Sequence, residues 1–424
     1  MAESSIPTVG IIGAGTMGAG IAQVAATSGW VVELMDVDEP TVRAAIDGIG
    51  RRLDRLVEKG RLAPEKRDDD AGRLRVAGSP LCFGSCDLLL EAVVEDLEAK
   101  AAVLRANIGQ LPADCVIATN TSSLSISRLG DAIGQARRTV GMHFFNPAPV
   151  MKLVEVIGGE QTEPSVVDRV AQIAEGWGKQ VARAADVPGF IVNHVARPYY
   201  LEAFRILEDG VAGAEQIDDA LRDLGGFRMG PLELTDLIGQ DVNTATTRSV
   251  WEQLGRPPLL HPSRLQERLV AEGNLGRKTG RGVYTYEGEA PAPAVGVERK
   301  PLVMSDPLRE AVEAFVAGAT EVRGGEVPHY VFSRVLVAVI AQAAVAHERG
   351  VAEPADIDRA LKYGTNYPRG PFEWAQAIGY DLCRRLLKEL DAASADGRFA
   401  IKALGVGGTR PTSRPAPTEE PPSE

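Results

Sequence analysis

The sequence predicts an α/β domain built on a parallel sheet, followed by two all-α modules of one design. Three observations carry this. Short runs rich in β-branched residues alternate with helical stretches over 1–185, as they do where parallel strands are joined by crossover helices. After about Asp186 the strand signals stop, and helical segments punctuated by Gly and Pro take over. Within that second half, GVAGAEQIDDALRDLGGFRMGPLELTDLIGQD (210–241) aligns without a gap on GVAEPADIDRALKYGTNYPRGPFEWAQAIGYD (350–381), Gly210 falling on Gly350 and Asp241 on Asp381. Such self-similarity marks one supersecondary unit used twice.

Taken in order, TVGIIG opens as a strand, an Ala-rich helix runs to Gly29, and WVVELMD returns as a second strand. Between Asp36 and Ser79, Ile46, Ile49, Leu53 and Leu56 recur at helical spacing among basic residues. That stretch reads as a helical arm (about 41–67) rather than a sheet strand. LLLEAVVE, VIATNT, TVGMHFF and KLVEVIG read as further strands and complete a sheet domain over 1–185. A helical module over 186–288 follows, then a linker over 289–324 suggested by EGEAPAPAVGVERKP, and a second helical module over 325–404. The Gly/Pro/Ser-rich end, 405–424, is expected to be disordered.

Bulk properties narrow the function classes. A chain of 424 residues, 44% hydrophobic and 25% charged, is globular in composition and long enough for two or three domains. The net charge of -12 argues against nucleic-acid or anionic-membrane partners, so an anionic ligand must be met by a local basic patch. Cys82, Cys86, Cys115 and Cys383 have neither zinc-ligand spacing nor the density of a disulfide scaffold. They read as buried thiols of a cytoplasmic protein, and no metal is expected. MAESSIPTVGIIGAG lacks the pattern of a secretory signal, and the most apolar run, VLVAVIAQAAVA, is too short to span a membrane.

The first motif is VGIIGAGTMGAG, with Gly13, Gly15 and Gly18 between a strand and a helix. Glycines so placed allow a tight turn and bring a pyrophosphate against the helix N-terminus formed by Thr16 and Met17. Asp36 closes the next strand, at the spacing from Gly18 where a carboxylate grips a ribose 2′-hydroxyl and repels a 2′-phosphate. The domain is therefore Rossmann-type, and NAD is favoured over NADP.

HFFNPAPVMKLVEVIGG (143–159) raises a sharper question. His143 closes a strand at the sheet's carboxyl edge, Pro147 and Pro149 force a turn, and the returning strand sets Glu155 between Val154 and Val156. Two readings stand: Glu155 is buried as the partner of His143 in an acid–base pair, or an alternating strand points it at water. TNTSSLSIS likewise offers hydroxyls and Asn120 at a sheet edge, or caps the next helix. Asn193 in VPGFIVNHV is either a domain-junction bond or a substrate donor.

GAGTMGAG, EAVVEDLEAK, TNTSSLSI, HFFNPAPVMKLVEV, PGFIVN, GPLELTDLIGQD and GRKTGRGVY occur in one order over about 1–286, and in that order the chain resembles the 3-hydroxyacyl-CoA dehydrogenase family. The two modules resemble that family's C-terminal helical domain, used twice. WGKQ, NHVARPYYLEAFR and GFRMGPLELTDLIGQDVN are most similar to members that oxidise 3-hydroxyadipyl-CoA in bacterial phenylacetate degradation, with 3-hydroxybutyryl-CoA members close behind. The resemblance implies fatty-acid β-oxidation chemistry: reversible, NAD-dependent oxidation of a (3S)-3-hydroxyacyl-CoA. It implies His143 as base, Glu155 as the carboxylate orienting it, and Ser122 and Asn193 on the substrate oxygen. It also implies cofactor contacts at Glu95, Lys100, Ser122, Asn146 and Lys278, CoA phosphates at Lys59, and a homodimer or its intrachain equivalent.

Three positions depart from the family pattern. His194 stands where an arginine is usual and puts a second imidazole near the site; Arg52 replaces a serine of some relatives near CoA; and Ser333 occupies the repeat position of Asn193. The rival readings are a dehydrogenase of free hydroxy or sugar acids, which a thioester-against-acid assay separates, and a non-catalytic NAD-binding protein, which absence of turnover would favour.

Overall fold

The computed structural model describes residues 6–288 and 290–400, so the tail expected from 405 lies outside the described residues. Eight strands form the first domain: β1 (Thr8–Ile12), β2 (Val31–Met35), β3 (Leu74–Val76), β4 (Leu88–Glu91), β5 (Val116–Thr119), β6 (Thr139–Phe144), β7 (Leu153–Gly158) and β8 (Gln180–Ala185). Six helices connect them: α1 (Thr16–Thr27), α2 (Glu39–Glu58), α3 (Pro64–Gly72), α4 (Leu97–Asn107), α5 (Ile126–Ala132) and α6 (Pro164–Gly176). The strands lie in the order β3-β2-β1-β4-β5-β6-β7-β8. β4, β5 and β6 are buried along their whole length, which is why they read as unbroken apolar runs with helices on both faces. Strand order reverses between β1 and β4, opening a crevice above their carboxyl ends.

Three expectations need correction. The sheet is mixed rather than parallel: β7 runs antiparallel to β6, and β8 parallel to β7. The arm is helical as expected, burying Val42, Ile49 and Leu53, but the stretch that follows it returns to the sheet. Leu74–Val76 pairs with β2 as an edge strand, because Leu74 faces inward while Arg75 reaches out to Glu33. The stretch 289–324, expected to be a linker, contains a helix over Asp306–Ala319. Ser305 caps it, and Leu308, Ala311, Val312, Phe315 and Val316 make the apolar face that the Pro/Ala-rich residues before it obscure.

The first helical module holds α7 (Val192–Val195), α8 (Arg197–Glu208), α9 (Ala214–Gly225), α10 (Pro231–Ile238), α11 (Gln240–Gln253) and α12 (Arg264–Ala271). The helix at 306–319 is α13, and it packs on the second module: α14 (Glu326–Glu348), α15 (Pro354–Gly364), α16 (Pro371–Ile378) and α17 (Tyr380–Ala393). The repeat holds to atomic detail. Asp218 accepts the backbone N–H groups of Leu232 and Glu233 at 2.8 and 2.9 Å, and Asp358 those of Phe372 and Glu373 at 2.8 and 3.1 Å. Gly239 and Gly379 turn α10 into α11 and α16 into α17 at φ near 103° and 101°, a region that favours glycine.

α14 is long and apolar enough to cross a membrane, yet 89% of its most apolar window is buried inside the fold. It lies against α8 and α9, so both modules share one core, which continues through Leu153 and Ala182 into the sheet. The second module also covers the edge strand β8: Ala185 N–H donates to Val351 O at 2.8 Å and Arg359 to Val181 O at 2.9 Å. One buried carboxylate pins the modules together, since Glu202 of α8 accepts from Arg334 at 2.7 Å and from Arg398 at 3.1 Å, beside Arg205. Burial alone would raise its pKa, but the three guanidiniums hold it down at about 2.

Candidate active site

The three glycines after β1 have three different reasons. Gly13 sits at φ 107°, and a side chain there would run into the Ala92 carbonyl at 2.5 Å. At Gly18 a Cβ would lie 1.8 Å from the Gly13 carbonyl, so only glycine lets α1 start this close to the turn. Nothing comes within 4 Å of a Cβ at Gly15, which with Thr16 is exposed: here the room is left for a ligand. α1 has no side-chain cap and no acid in its first turn, so its N-terminal N–H groups suit a pyrophosphate. Asp36, at the end of β2, spends one oxygen on Ala14 N–H at 2.5 Å and the other on Val37 N–H at 2.6 Å, fixing the carboxylate at the crevice rim. Val37 is 92% exposed and Val94 follows β4 on the same side, an apolar surface that sequence reading missed. These residues fit a dinucleotide.

On the other side of the crevice His143 and Glu155 stand directly opposite each other in the β6–β7 ladder. His143 is 6% and Glu155 0% exposed, and Nδ1 lies 2.7 Å from Glu155 Oε2. Facing water is thereby excluded for Glu155. A carboxylate at Nδ1 makes that nitrogen the N–H donor and leaves Nε2, which has no partner among the described residues, with its lone pair. Glu155 does a second job through Oε1, which accepts the backbone N–H groups of Ile191 and Val192 at 3.1 and 2.8 Å. The carboxylate that orients the imidazole thus also sets the turn delivering Asn193. Phe145 and Phe190 flank the ring at centroid distances of 4.6 and 5.8 Å.

The loop after β5 divides its hydroxyls between the two roles left open for it. Ser125 caps α5 and donates to Asp186. Ser122 and Ser123 instead line a cavity of about 230 Å³ with Gly189, Asn193, Thr246, Ser249, Val250 and Gln253. Asn120 Oδ1 accepts the Phe144 N–H at 2.8 Å, tying this loop to the residue after His143. Glu95 organises the whole turn, accepting from Thr121 Oγ1 at 2.7 Å and from the backbone of Ser122 and Ser123 at 2.8 and 3.0 Å. Although burial pushes its pKa up, those donors and the Lys100 ammonium bring it below the usual value, so Glu95 stays ionised.

Other expected positions are placed less directly. Lys100 is 1% exposed and binds Glu91 at 2.9 Å and Glu95 at 3.2 Å, so its ammonium supports Glu95 rather than facing open crevice. Lys278 is held by both oxygens of Asp241, at 2.6 and 2.7 Å. Lys59, at the C-cap of α2, is exposed without an ion-pair partner among the described residues, and Arg52 donates to Gln23 at 2.6 Å. Asn146 is exposed on a turn clamped by Lys179, whose ammonium donates to Ala148 O at 2.6 Å and Met151 O at 2.9 Å. The second imidazole, His194, is buried, and burial draws its pKa down to about 4.

Comparison with known proteins agrees with this geometry. Residues 8–187 match "3-hydroxyacyl-CoA dehydrogenase, NAD binding domain", and 189–286 with 330–405 match "3-hydroxyacyl-CoA dehydrogenase, C-terminal domain", so both helical modules are copies of one domain. An Escherichia coli 3-hydroxyadipyl-CoA dehydrogenase is 38% identical over 93% of this chain and 96% of its own length. A Bradyrhizobium diazoefficiens 3-hydroxybutyryl-CoA dehydrogenase is 38% identical over 68% of this chain and 98% of its own. The crystal structure of an Escherichia coli 3-hydroxybutyryl-CoA dehydrogenase superimposes with a TM-score of 0.82 at 37% identity, covering 93% of this chain and 96% of that one. The chain belongs to the 3-hydroxyacyl-CoA dehydrogenase family, and its sheet domain is that family's NAD-binding domain.

Proposed function

We propose that the protein oxidises short-chain or dicarboxylic (3S)-3-hydroxyacyl-CoA thioesters, such as 3-hydroxybutyryl-CoA or 3-hydroxyadipyl-CoA, reversibly to 3-ketoacyl-CoA. The buried His143–Glu155 pair at 2.7 Å, beside a cavity lined by Ser122 and Asn193, carries this reading. NAD, when bound, supplies the hydride acceptor. His143 Nε2 takes the proton from the 3-hydroxyl and returns it in the reverse direction. Glu155 stabilises the imidazolium that forms, so its charge acts where charge develops. Asn193, set by the same carboxylate, and Ser122, set by Glu95, hold the substrate oxygen. Lys59 meets the CoA phosphates; Glu95, Asn146 and Lys278 sit around the cofactor, with Lys100 behind Glu95.

The similarity of WGKQ and NHVARPYYLEAFR supports a place in phenylacetate-type catabolism, and the four free cysteines support a cytoplasmic location. The modules' resemblance to the family's dimerisation region supports a homodimer, and α14 lying against α8 and α9 supports pairing of the modules within one chain as its equivalent. Sedimentation equilibrium separates the two states.

The test is NADH formation from (3S)-3-hydroxybutyryl-CoA. Wild type should prefer NAD to NADP, and Asp36→Ala should weaken NAD and narrow that preference. His143→Gln should remove most turnover while still binding NAD. Full turnover in His143→Gln, or a wild-type preference for NADP, would overturn the assignment.

A further inference from the structure

Behind Asn193 lies a guanidinium with no acid against it among the described residues. Arg197 is 4% exposed and stands one layer behind the cavity wall, which Asn193 lines and Arg197 does not. Nη2 donates to Asn193 Oδ1 at 3.4 Å, and Nη1 to Thr247 Oγ1 at 3.3 Å and to the Asn243 carbonyl at 3.5 Å. The Tyr200 ring covers the guanidinium at 5.0 Å. The three bonds are long, as hydrogen bonds of a catalytic site often are until substrate tightens them.

A guanidinium has donors only, so the amide atom turned toward it is the oxygen. This fixes the sense of the Asn193 side chain: Oδ1 faces Arg197, and Nδ2, which no described residue engages, is the end left for the cavity. Without such a neighbour an amide can present either end to a ligand. The pairing is local and firm, since Ala196 between α7 and α8 keeps helical angles and sets the two residues one turn apart.

The internal repeat shows that the scaffold can close without this arginine. In the register that sets Gly210 on Gly350, the residues Asn193, Arg197, Tyr200, Asn243 and Thr247 become Ser333, Val337, Ile340, Cys383 and Leu387, all buried. A buried cation without an acid costs the fold stability, and this one stands only in the copy that borders the cavity. Where the chain buries an arginine between its modules, at Arg334, it supplies Glu202 and Asp209.

We propose that Arg197 is a positioning residue for oxidation of the 3-hydroxyl: it holds the Asn193 amide with Oδ1 inward, so that Nδ2–H donates to the substrate's 3-oxygen. This rests on the hydroxyacyl-CoA reading above. As His143 takes the proton, negative charge gathers on that oxygen, and a donor aimed at it beforehand stabilises the transition state more than the ground state. The guanidinium also polarises the amide through Oδ1, because linked hydrogen bonds strengthen one another. Arg197 itself touches neither substrate nor cofactor and acts through Asn193.

The experiment is a double-variant cycle on kcat for (3S)-3-hydroxybutyryl-CoA oxidation, with Tm recorded for each protein. Arg197→Met should lower kcat roughly tenfold with KM for NAD unchanged, and Arg197→Lys, which keeps a charged donor, should recover part of the loss. In an Asn193→Ala background Arg197→Met should cost nothing further, because the group it aims is gone. A merely structural arginine would lower Tm and leave kcat alone, or give losses that multiply; either result overturns the proposal. Asn193→Asp reads the sense of the amide with Arg197 in place, and it decides the matter should Arg197→Met not fold. An aspartate pairs with the guanidinium but has no N–H to give. Tm should therefore hold while kcat falls at least as far as in Asn193→Ala, and activity near wild type overturns the proposal. A wild type that oxidises neither 3-hydroxybutyryl-CoA nor 3-hydroxyadipyl-CoA overturns the reaction reading and this role with it, whereas full turnover in Arg197→Met overturns this role alone.

Discussion

The helices α9 to α11 and α15 to α17 follow one plan, cap the same turns with Asp218 and Asp358, and turn on the same glycines, yet they bury different chemistry. In the first copy Asn193, Arg197, Asn243 and Thr247 set amides, a guanidinium and a hydroxyl at or behind the cavity wall; their second-copy counterparts, Ser333, Val337, Cys383 and Leu387, are buried and mostly apolar. Charge between the copies is unequal too. Arg334 meets Glu202, whereas their counterparts across the repeat are His194 and Gln342, neither of them ionised. Backbone plan and burial pattern are what a module must keep to fold; buried polarity beyond the caps is what the site adds, and it disappears where no site is served.

The largest effect that sharpens this contrast lies where the sheet meets the first module. Glu155→Gln should cut kcat roughly 10²- to 10⁴-fold, since the charge supporting His143 and the anchor of the Asn193 turn go together, with NAD affinity by calorimetry nearly unchanged. The Glu155→Gln, His143→Gln double variant should be little worse than either single one; multiplied losses would show two independent groups.

Next comes Glu202→Gln, which leaves the buried Arg334 with Asp209 alone and Arg398 with Asp396, and should cost about 3–5 kcal/mol by chemical denaturation, with kcat little changed at low temperature. An unaltered midpoint would mean that the cluster does not join the modules. Acid should act at His194. Its folded pKa of about 4 lies below the ordinary 6.5, so the unfolded chain takes up the proton first and stability falls as pH drops from about 6.5 to 4. The loss is at most about 3 kcal/mol, and His194→Asn should flatten the slope of Tm against pH in that window. The Glu202 contribution is present above the ordinary 4.5 and is lost only toward about 2, so the two windows are separable. Smallest of all is Ser333→Ala: its hydroxyl is buried without a partner among the described residues, so stability should stay within about 1 kcal/mol and kcat should not move. Asn193→Ala, the same position in the first copy, should lower kcat/KM roughly tenfold or more; equal effects at both would erase the contrast.

What the sequence could show follows from what is local. Periodicity located the arm and six of the eight strands, missing β3 and β8, self-similarity located the repeat, and the acid inside L-V-E-V-I raised a buried carboxylate as one of two readings. Glu91, inside L-L-L-E, gives the same signal and went unused, although its pair with Lys100 is what turns that lysine away from the crevice. The reversal of β7 was visible only as two prolines, because a turn's direction depends on what the returning strand packs against. The helix at 306–319 was hidden by its Pro- and Ala-rich approach. Arg197 could not be singled out, since R-P-Y-Y reads as an amphipathic helix start and only the fold reveals a buried guanidinium with no acid against it among the described residues.

The length of α14 has a consequence for synthesis. The face of α8 and α9 that it covers is complete well before α14 begins at Glu326, and its cover ends only at Glu348. Through that stretch of translation the nascent chain carries an apolar surface with nothing to lie against it, and at about 5–20 residues per second the gap lasts several seconds. Chaperone demand should therefore peak before the second module emerges, and a chain cut at the end of the first module should need a second copy of itself, or aggregate.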